Sequence, residues 1–127
     1  MDVAIGTDLV EIGRIKGAIN RRGERFLNRI FTPNEIRYCQ RQRAPYPCYA
    51  GRFAAKEAVF KALGKGGWRL GMKWTEMEVL NDPQGQPYII LSGRVKTQAE
   101  EVGIRRFLIS LSHTRDYALC QLLALKE

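Results

Sequence analysis

The chain is short of the residues that carry most nucleophilic and redox chemistry. It has one histidine, His113, and three cysteines in 127 residues. No serine or cysteine stands at a recognisable spacing from that histidine, so a Ser-His-Asp or Cys-His triad has no support. The same scarcity weighs against zinc, because one histidine and scattered cysteines do not make a usual ligand set. Cys39, Cys48 and Cys120 are odd in number and far apart. The expectation is therefore three reduced thiols in a cytoplasmic protein. Cys120 lies in the apolar run from Tyr117 to Leu122 and reads as core packing. No apolar stretch approaches the roughly 20 residues of a membrane span. Met1-Asp2-Val3-Ala4 lacks a basic n-region and passes straight into a strand pattern, so no signal peptide is expected. The length fits one domain, residues 1–127, that is small for a fully enclosed site. A second subunit is the expected means of completing a cleft.

Acidic residues are few, 13 against 21 lysines and arginines, and the excess is localised. Between Arg14 and Arg43 stand nine cations and two acids, Glu24 and Glu35, so this segment holds +7 of the net +8. Clustering of one sign raises encounter rates with an acidic partner and orients it. Nucleic acid, an anionic membrane surface and an acidic protein all meet that description; a solubility role needs no clustering.

Along the chain, Val3, Ile5, Thr7 and Leu9 alternate with Ala4, Gly6, Asp8 and Val10, a strand whose second face is small until Asp8. A basic helix is expected from about Lys16 to Arg29, weakened or broken at Gly17 and Gly23. Thr32-Pro33-Asn34-Glu35 has the form of a helix start: an N-cap, a proline at the first helical position and a capping box. Ala44-Pro45-Tyr46-Pro47 is read as a break. An Ala-rich helix follows, Ala50 to Gly64, and Gly64-Lys65-Gly66-Gly67 as a C-cap and turn. The second half reads as strands from Trp74 to Leu80, Gln86 to Ser92, Phe107 to Ser112 and Tyr117 to Leu125, with a short helix from Arg94 to Val102. The fold class is α+β, with an antiparallel sheet packed by helices.

The Ala-rich helix carries the most information. Glu57 and Lys61 share a face with Ala50, Ala54 and Gly64, whose small side chains leave room for an approaching group; Arg52 and Lys56 share another face. Two readings are open: an exposed i,i+4 ion pair, or a site. Asp8 on a strand and Glu57 on a helix offer two carboxylates for a hard divalent cation. Mg²⁺ takes one or two carboxylates and completes its shell with water and phosphate oxygens. Lys61 would then neutralise phosphate charge. His113, at a strand end, is either a functional group or a structural hydrogen-bonder. These parts together point to phosphate chemistry.

Gly6-Thr7-Asp8-Leu9-Val10-Glu11-Ile12, Arg14-Ile15, Ala50-Gly51-Arg52-Phe53-Ala54-Ala55-Lys56-Glu57-Ala58, Lys61-Ala62-Leu63-Gly64 and Leu111-Ser112-His113-Thr114 resemble, end to end, the holo-[acyl-carrier-protein] synthase family. This is the short, single-domain group of 4′-phosphopantetheinyl transferases. The resemblance implies the 4′-phosphopantetheinyl transferase fold and a trimer with coenzyme A sites between subunits. It implies transfer of the phosphopantetheine arm of coenzyme A to a serine of apo acyl carrier protein, releasing adenosine 3′,5′-bisphosphate, in support of fatty acid biosynthesis. Asp8 and Glu57 match the ligands of Mg²⁺, with Mn²⁺ as the alternative ion, and Lys61 matches the lysine beside the phosphates. Arg52, Gly64 and His113 match positions near the coenzyme A nucleotide and phosphates. Arg14, Arg21, Arg25, Phe26 and Arg29, with Arg22 beside them, match the carrier-binding positions; core packing is the other reading of Phe26. The base for the serine hydroxyl is left between a water at the centre and a carboxylate. Lys65 departs from the Gly-Thr-Gly of many members and faces either phosphate or solvent.

A nucleic-acid module built on the Arg14–Arg43 stripe is the reading from another class. It lacks an RNA-binding signature and base-stacking aromatics among the basic residues. An interaction protein without catalysis is disfavoured because every motif residue that can be matched is present. Neither nucleic acid nor a membrane is the expected partner.

Overall fold

A computed structural model describes residues 2–64 and 71–127. Lys65 and the glycine loop read between Gly64 and Gly67 lie outside the described residues, apart from Gly64 itself. The chain begins with strand β1 (Asp2–Glu11), then helices α1 (Ile12–Arg22), α2 (Glu24–Ile30), α3 (Pro33–Gln40) and α4 (Pro45–Leu63). A 3-10 turn (Trp74–Glu76) leads into β2 (Met77–Asn81), β3 (Pro87–Leu91), α5 (Gly93–Glu101), β4 (Ile104–His113) and β5 (Tyr117–Lys126). The α+β class is as expected. The strands form two antiparallel sheets rather than one, β1-β5-β4 and the β2–β3 hairpin.

Gly23 breaks the basic helix, with φ +56°, whereas Gly17 sits inside α1 without interrupting it. Thr32 caps α3 through the reciprocal bonds of a capping box with Glu35. The Pro45-Tyr46-Pro47 segment does not break the chain before the Ala-rich helix: it is the first turn of α4. A proline there loses no intrahelical bond, because first-turn N–H groups have no partner inside the helix.

That early start brings Cys48 beside Cys39 at the end of α3, with 5.5 Å between their Cα atoms, and the two form a disulfide. The expectation of three reduced thiols is corrected for this pair. A separation of nine residues became bonding distance because α3 and α4 turn back on one another within a few residues. Cys120 is the free, buried cysteine.

The inner face of the three-stranded sheet carries Gly6, Val10, Ala118, Cys120, Leu122 and Ala124, all buried. Across it lies α4, whose Ala50, Ala54 and Ala58 are fully buried. The small residues of this helix therefore do not leave open space on the Glu57 face. They let the helix settle onto the sheet, and the room expected beside Ala50 and Ala54 is taken by strands. Around the other side of α4, Tyr49, Val59 and Phe60 are buried, and Arg52 and Lys56 with them. The second charged face read in the sequence is thus interior.

Candidate active site

Asp8 projects from the inner face of β1 beyond Gly6 and opposite Cys120. Its carboxylate is mostly covered, at 15 % side-chain exposure, and accepts from the Lys61 Nζ at 3.0 Å. Lys61 donates also to the Thr7 carbonyl oxygen at 2.8 Å. The ammonium reaches across from α4 to β1. It does not form the i,i+4 ion pair with Glu57 that helix spacing offers, and no ion pair holds Glu57 among the described residues.

Glu57 and Asp8 line one cleft of about 690 Å³ with Glu11, Arg14, Phe26 and Phe53. Burial holds the Glu57 carboxyl above its ordinary range; the negative charge of Asp8 pushes the same way, and Lys61 opposes both. Cys120, beneath Asp8, is pushed up to about 12 by burial and by that carboxylate. Its thiol stays protonated at neutral pH and is excluded as a nucleophile.

A second basic groove continues from this cleft. Arg21, Arg22, Arg25 and Arg29 line it with Phe26, Phe53 and Trp74. Phe53 stacks on Trp74 with ring centroids 5.1 Å apart. Phe26 is partly buried, meets Phe31 edge-on at 6.3 Å and still lines both grooves, so packing and exposure are combined in one residue. Arg14 and Arg21 stand in the carboxylate cleft as well.

Arg52 and His113 face a separate cavity of about 400 Å³, walled by Tyr38, Gln42, Arg43, Cys48 and Asn81. Arg52 is almost fully buried. It donates from Nη2 to the Asn81 Oδ1 at 2.6 Å and lies over the Tyr38 ring at 4.3 Å. Its Nε is buried and has no hydrogen-bond partner among the described residues. Burial lowers its pKa, and Glu35 draws it back up. His113 ends β4 and is exposed. Gly64 is the C-cap of α4, with φ +85°, and lines neither cavity. The sequence-derived residues therefore fall into two groups that one copy of the chain keeps apart: Asp8, Glu57, Lys61 and the α1–α2 arginines, and Arg52 with His113.

Sequence reading missed Glu11, Phe53, Tyr38 and Asn81 as lining groups, and it missed the coupling of Glu35 to Lys56. The apolar residues Tyr49, Val59 and Phe60, three or four positions from Arg52 or Lys56, were the available signal that both cations are interior.

Residues 4–127 match the family model described as the 4′-phosphopantetheinyl transferase superfamily. The holo-[acyl-carrier-protein] synthase of Desulforudis audaxviator is 49% identical over 119 residues, which is 94% of this chain and 89% of that protein. The crystal structure of the holo-[acyl-carrier-protein] synthase from Neisseria meningitidis superimposes with a TM-score of 0.86 at 34% identity, over 97% of this chain and 98% of that one. The Chronobacterium ammoniagenes enzyme, solved as a coenzyme A complex, gives a TM-score of 0.87 at 30% identity, over 100% and 99%. The chain belongs to the 4′-phosphopantetheinyl transferase superfamily and, within it, to the holo-[acyl-carrier-protein] synthase family. It is an enzyme, a phosphopantetheinyl transferase.

Proposed function

We propose that this chain transfers the 4′-phosphopantetheine arm of coenzyme A to a serine hydroxyl of an apo acyl carrier protein, supplying holo carrier for fatty acid biosynthesis. The observation that carries the reading is the pair of carboxylates, Asp8 and Glu57, turned into one cleft with Lys61 bound to the first. The charge of Asp8 adds to burial in raising the proton affinity of Glu57, and a cation between the two carboxylates relieves that repulsion. No cluster of three acidic, histidine or cysteine groups occurs among the described residues, so the side chains offered here are the two carboxylates of Asp8 and Glu57. That donor set fits Mg²⁺, or Mn²⁺ as the alternative, completed by water and phosphate oxygens, and does not fit a thiophilic metal. When bound, the ion offsets the negative charge of the coenzyme A pyrophosphate.

The serine oxygen forms a bond to the phosphorus that bears the pantetheine arm, and the bond from that phosphorus to adenosine 3′,5′-bisphosphate breaks. Asp8 and Glu57 would hold the divalent ion, which would offset the charge of the phosphate end. Lys61, a donor at every proton, stabilises the charge arriving on the departing phosphate oxygen. The serine proton passes to an acceptor at the same centre, a carboxylate or water.

Arg52 and His113 are assigned to the nucleotide phosphates of coenzyme A. The unpartnered Nε of Arg52 supports this, since a buried guanidinium donor is completed by an anion. Gly64 is assigned to the phosphates as well, at the end of the helix that bears Lys61. The acidic carrier docks on Arg14, Arg21, Arg22, Arg25, Phe26 and Arg29, whose grooves run into the carboxylate cleft. Separation of the two cavities supports a site completed between subunits of a trimer. The outer sheet face supports it too: Val3, Ile5, Leu9, Leu108 and Leu123 are exposed there and form an apolar surface. The chain acts as a single domain, residues 1–127, in the cytoplasm. No described helix is long and apolar enough to cross a membrane.

The test is product analysis with coenzyme A, Mg²⁺ and apo acyl carrier protein. The reading expects adenosine 3′,5′-bisphosphate only when all three are present. Its formation without the carrier, or its absence with a competent carrier, rejects the transfer.

A further inference from the structure

One ion pair of this protein is completely interior. Lys56 and Glu35 have no exposed side-chain surface, and Nζ lies 2.6 Å from Oε1. The lysine donates also to the carbonyl oxygen of Ile30 at 2.6 Å and of Trp74 at 3.3 Å, so its three donors have three acceptors. Ile30 is the last residue of α2, where the carbonyls have no helical partner and the helix dipole is negative. Glu35 accepts from the Thr32 N–H at 2.9 Å through Oε1 and from the Val79 N–H at 2.8 Å through Oε2. A single pair therefore pins α2, α3, α4, β2 and the turn at Trp74 to one another.

Buried pairs of this kind are poor stability devices, because desolvation costs about as much as the pair returns and apolar replacements are often neutral or better. Their best-attested use is to fix one arrangement among several. Lys56 immediately precedes Glu57 on α4, and their side chains diverge by about 100°. Holding Lys56 on one side of the helix fixes the direction of Glu57 on the other. Its bond to Ile30 fixes the end of the helix that carries Arg25, Phe26 and Arg29.

Resting on the transferase reading, we propose that Lys56 and Glu35 are positioning residues that set the carrier-binding helix α2 at a fixed distance from the Glu57 carboxylate. A carrier docked on α2 then presents its serine at the phosphate. Neither Lys56 nor Glu35 lines the nucleotide cavity of Arg52 and His113, so the larger effect of the pair falls on the carrier.

The experiment compares Lys56→Met and the double variant Lys56→Met/Glu35→Gln with wild type, each checked by circular dichroism and thermal melting. The single variant leaves a buried carboxylate unpaired and is expected to be unstable. The double variant removes both charges and is expected to fold. In it, KM for the apo carrier rises by at least about tenfold while KM for coenzyme A stays within about twofold. A purely structural role lowers the active fraction, hence apparent kcat, and leaves both KM values alone; that result overturns the proposal, as does a double variant that cannot fold. Wild-type protein that transfers nothing rejects the transferase reading itself, which the same assay reports separately.

Discussion

Gly6 and Ala58 touch backbone to backbone. A Cβ built on Gly6 would lie 2.0 Å from the Ala58 carbonyl oxygen, so α4 sits on β1 at a distance that glycine alone permits. Asp8 is two residues beyond Gly6 and Glu57 one residue before Ala58, which makes this contact the gauge of their separation. Gly6→Ala forces strand and helix apart. The expected cost is about 1–3 kcal/mol in urea unfolding, as for other overpacked sites. Transfer should fall by about 100-fold, the usual effect of misplacing reacting groups by an ångström. Wild-type stability and rate in this variant would refute the gauge.

The Glu57 carboxyl is held above its ordinary range by burial first and by Asp8 second. Folding therefore favours its protonated form. Relative to a neutral side chain, Glu57 is tolerated at acid pH and becomes unfavourable as pH rises from the unfolded carboxylate pKa through the raised folded one. Metal-free Glu57→Gln protein should melt above metal-free wild type at pH 7. The difference should shrink as the pH falls below the ordinary carboxylate range. A melting gap that does not change with pH would contradict the charge repulsion.

Arg14 lines the carboxylate cleft, and Arg25 lines the basic groove that continues from it. Reversing both to Glu is expected to raise KM for the acidic carrier at least about tenfold and to flatten its salt dependence. KM for coenzyme A should move far less. Equal changes for both substrates would remove these arginines from the carrier surface.

The Cys39–Cys48 disulfide closes a loop between α3 and α4 beside the Arg52 cavity. A loop this short constrains the unfolded chain by about 2–3 kcal/mol in the chain-entropy account. Protein purified without reductant should show one titratable thiol under denaturing conditions, that of Cys120, and should lose stability on reduction. A count of three thiols would contradict the pairing.

Much of the fold was legible because local rules decide it. The small inner face of β1 and the Thr32 capping box needed only strand alternation and cap geometry. The carboxylates were legible too, since one lay beyond Gly6 and the other in an alanine-rich helix. The features that were not legible depended on distant contacts. Prolines at 45 and 47 can end one element or begin the next, and here they begin a helix. Arg52 and Lys56 read only as a second charged face, because periodicity does not reveal that a second layer covers that side. The Cys39–Cys48 bond depends on the angle between two helices, which no spacing rule contains. The separation of Arg52 and His113 from Asp8 and Glu57 is likewise a property of the packed chain.

Intact-mass analysis of apo acyl carrier protein tests the central claim most directly. The carrier is incubated with coenzyme A, Mg²⁺ and either wild-type protein, Asp8→Asn or Glu57→Gln, each with an EDTA control. The account predicts that wild type adds one phosphopantetheine arm, that EDTA abolishes the gain, and that both folded variants lose at least about 100-fold in rate. Undiminished, EDTA-resistant transfer by either variant would contradict a metal centre built on Asp8 and Glu57.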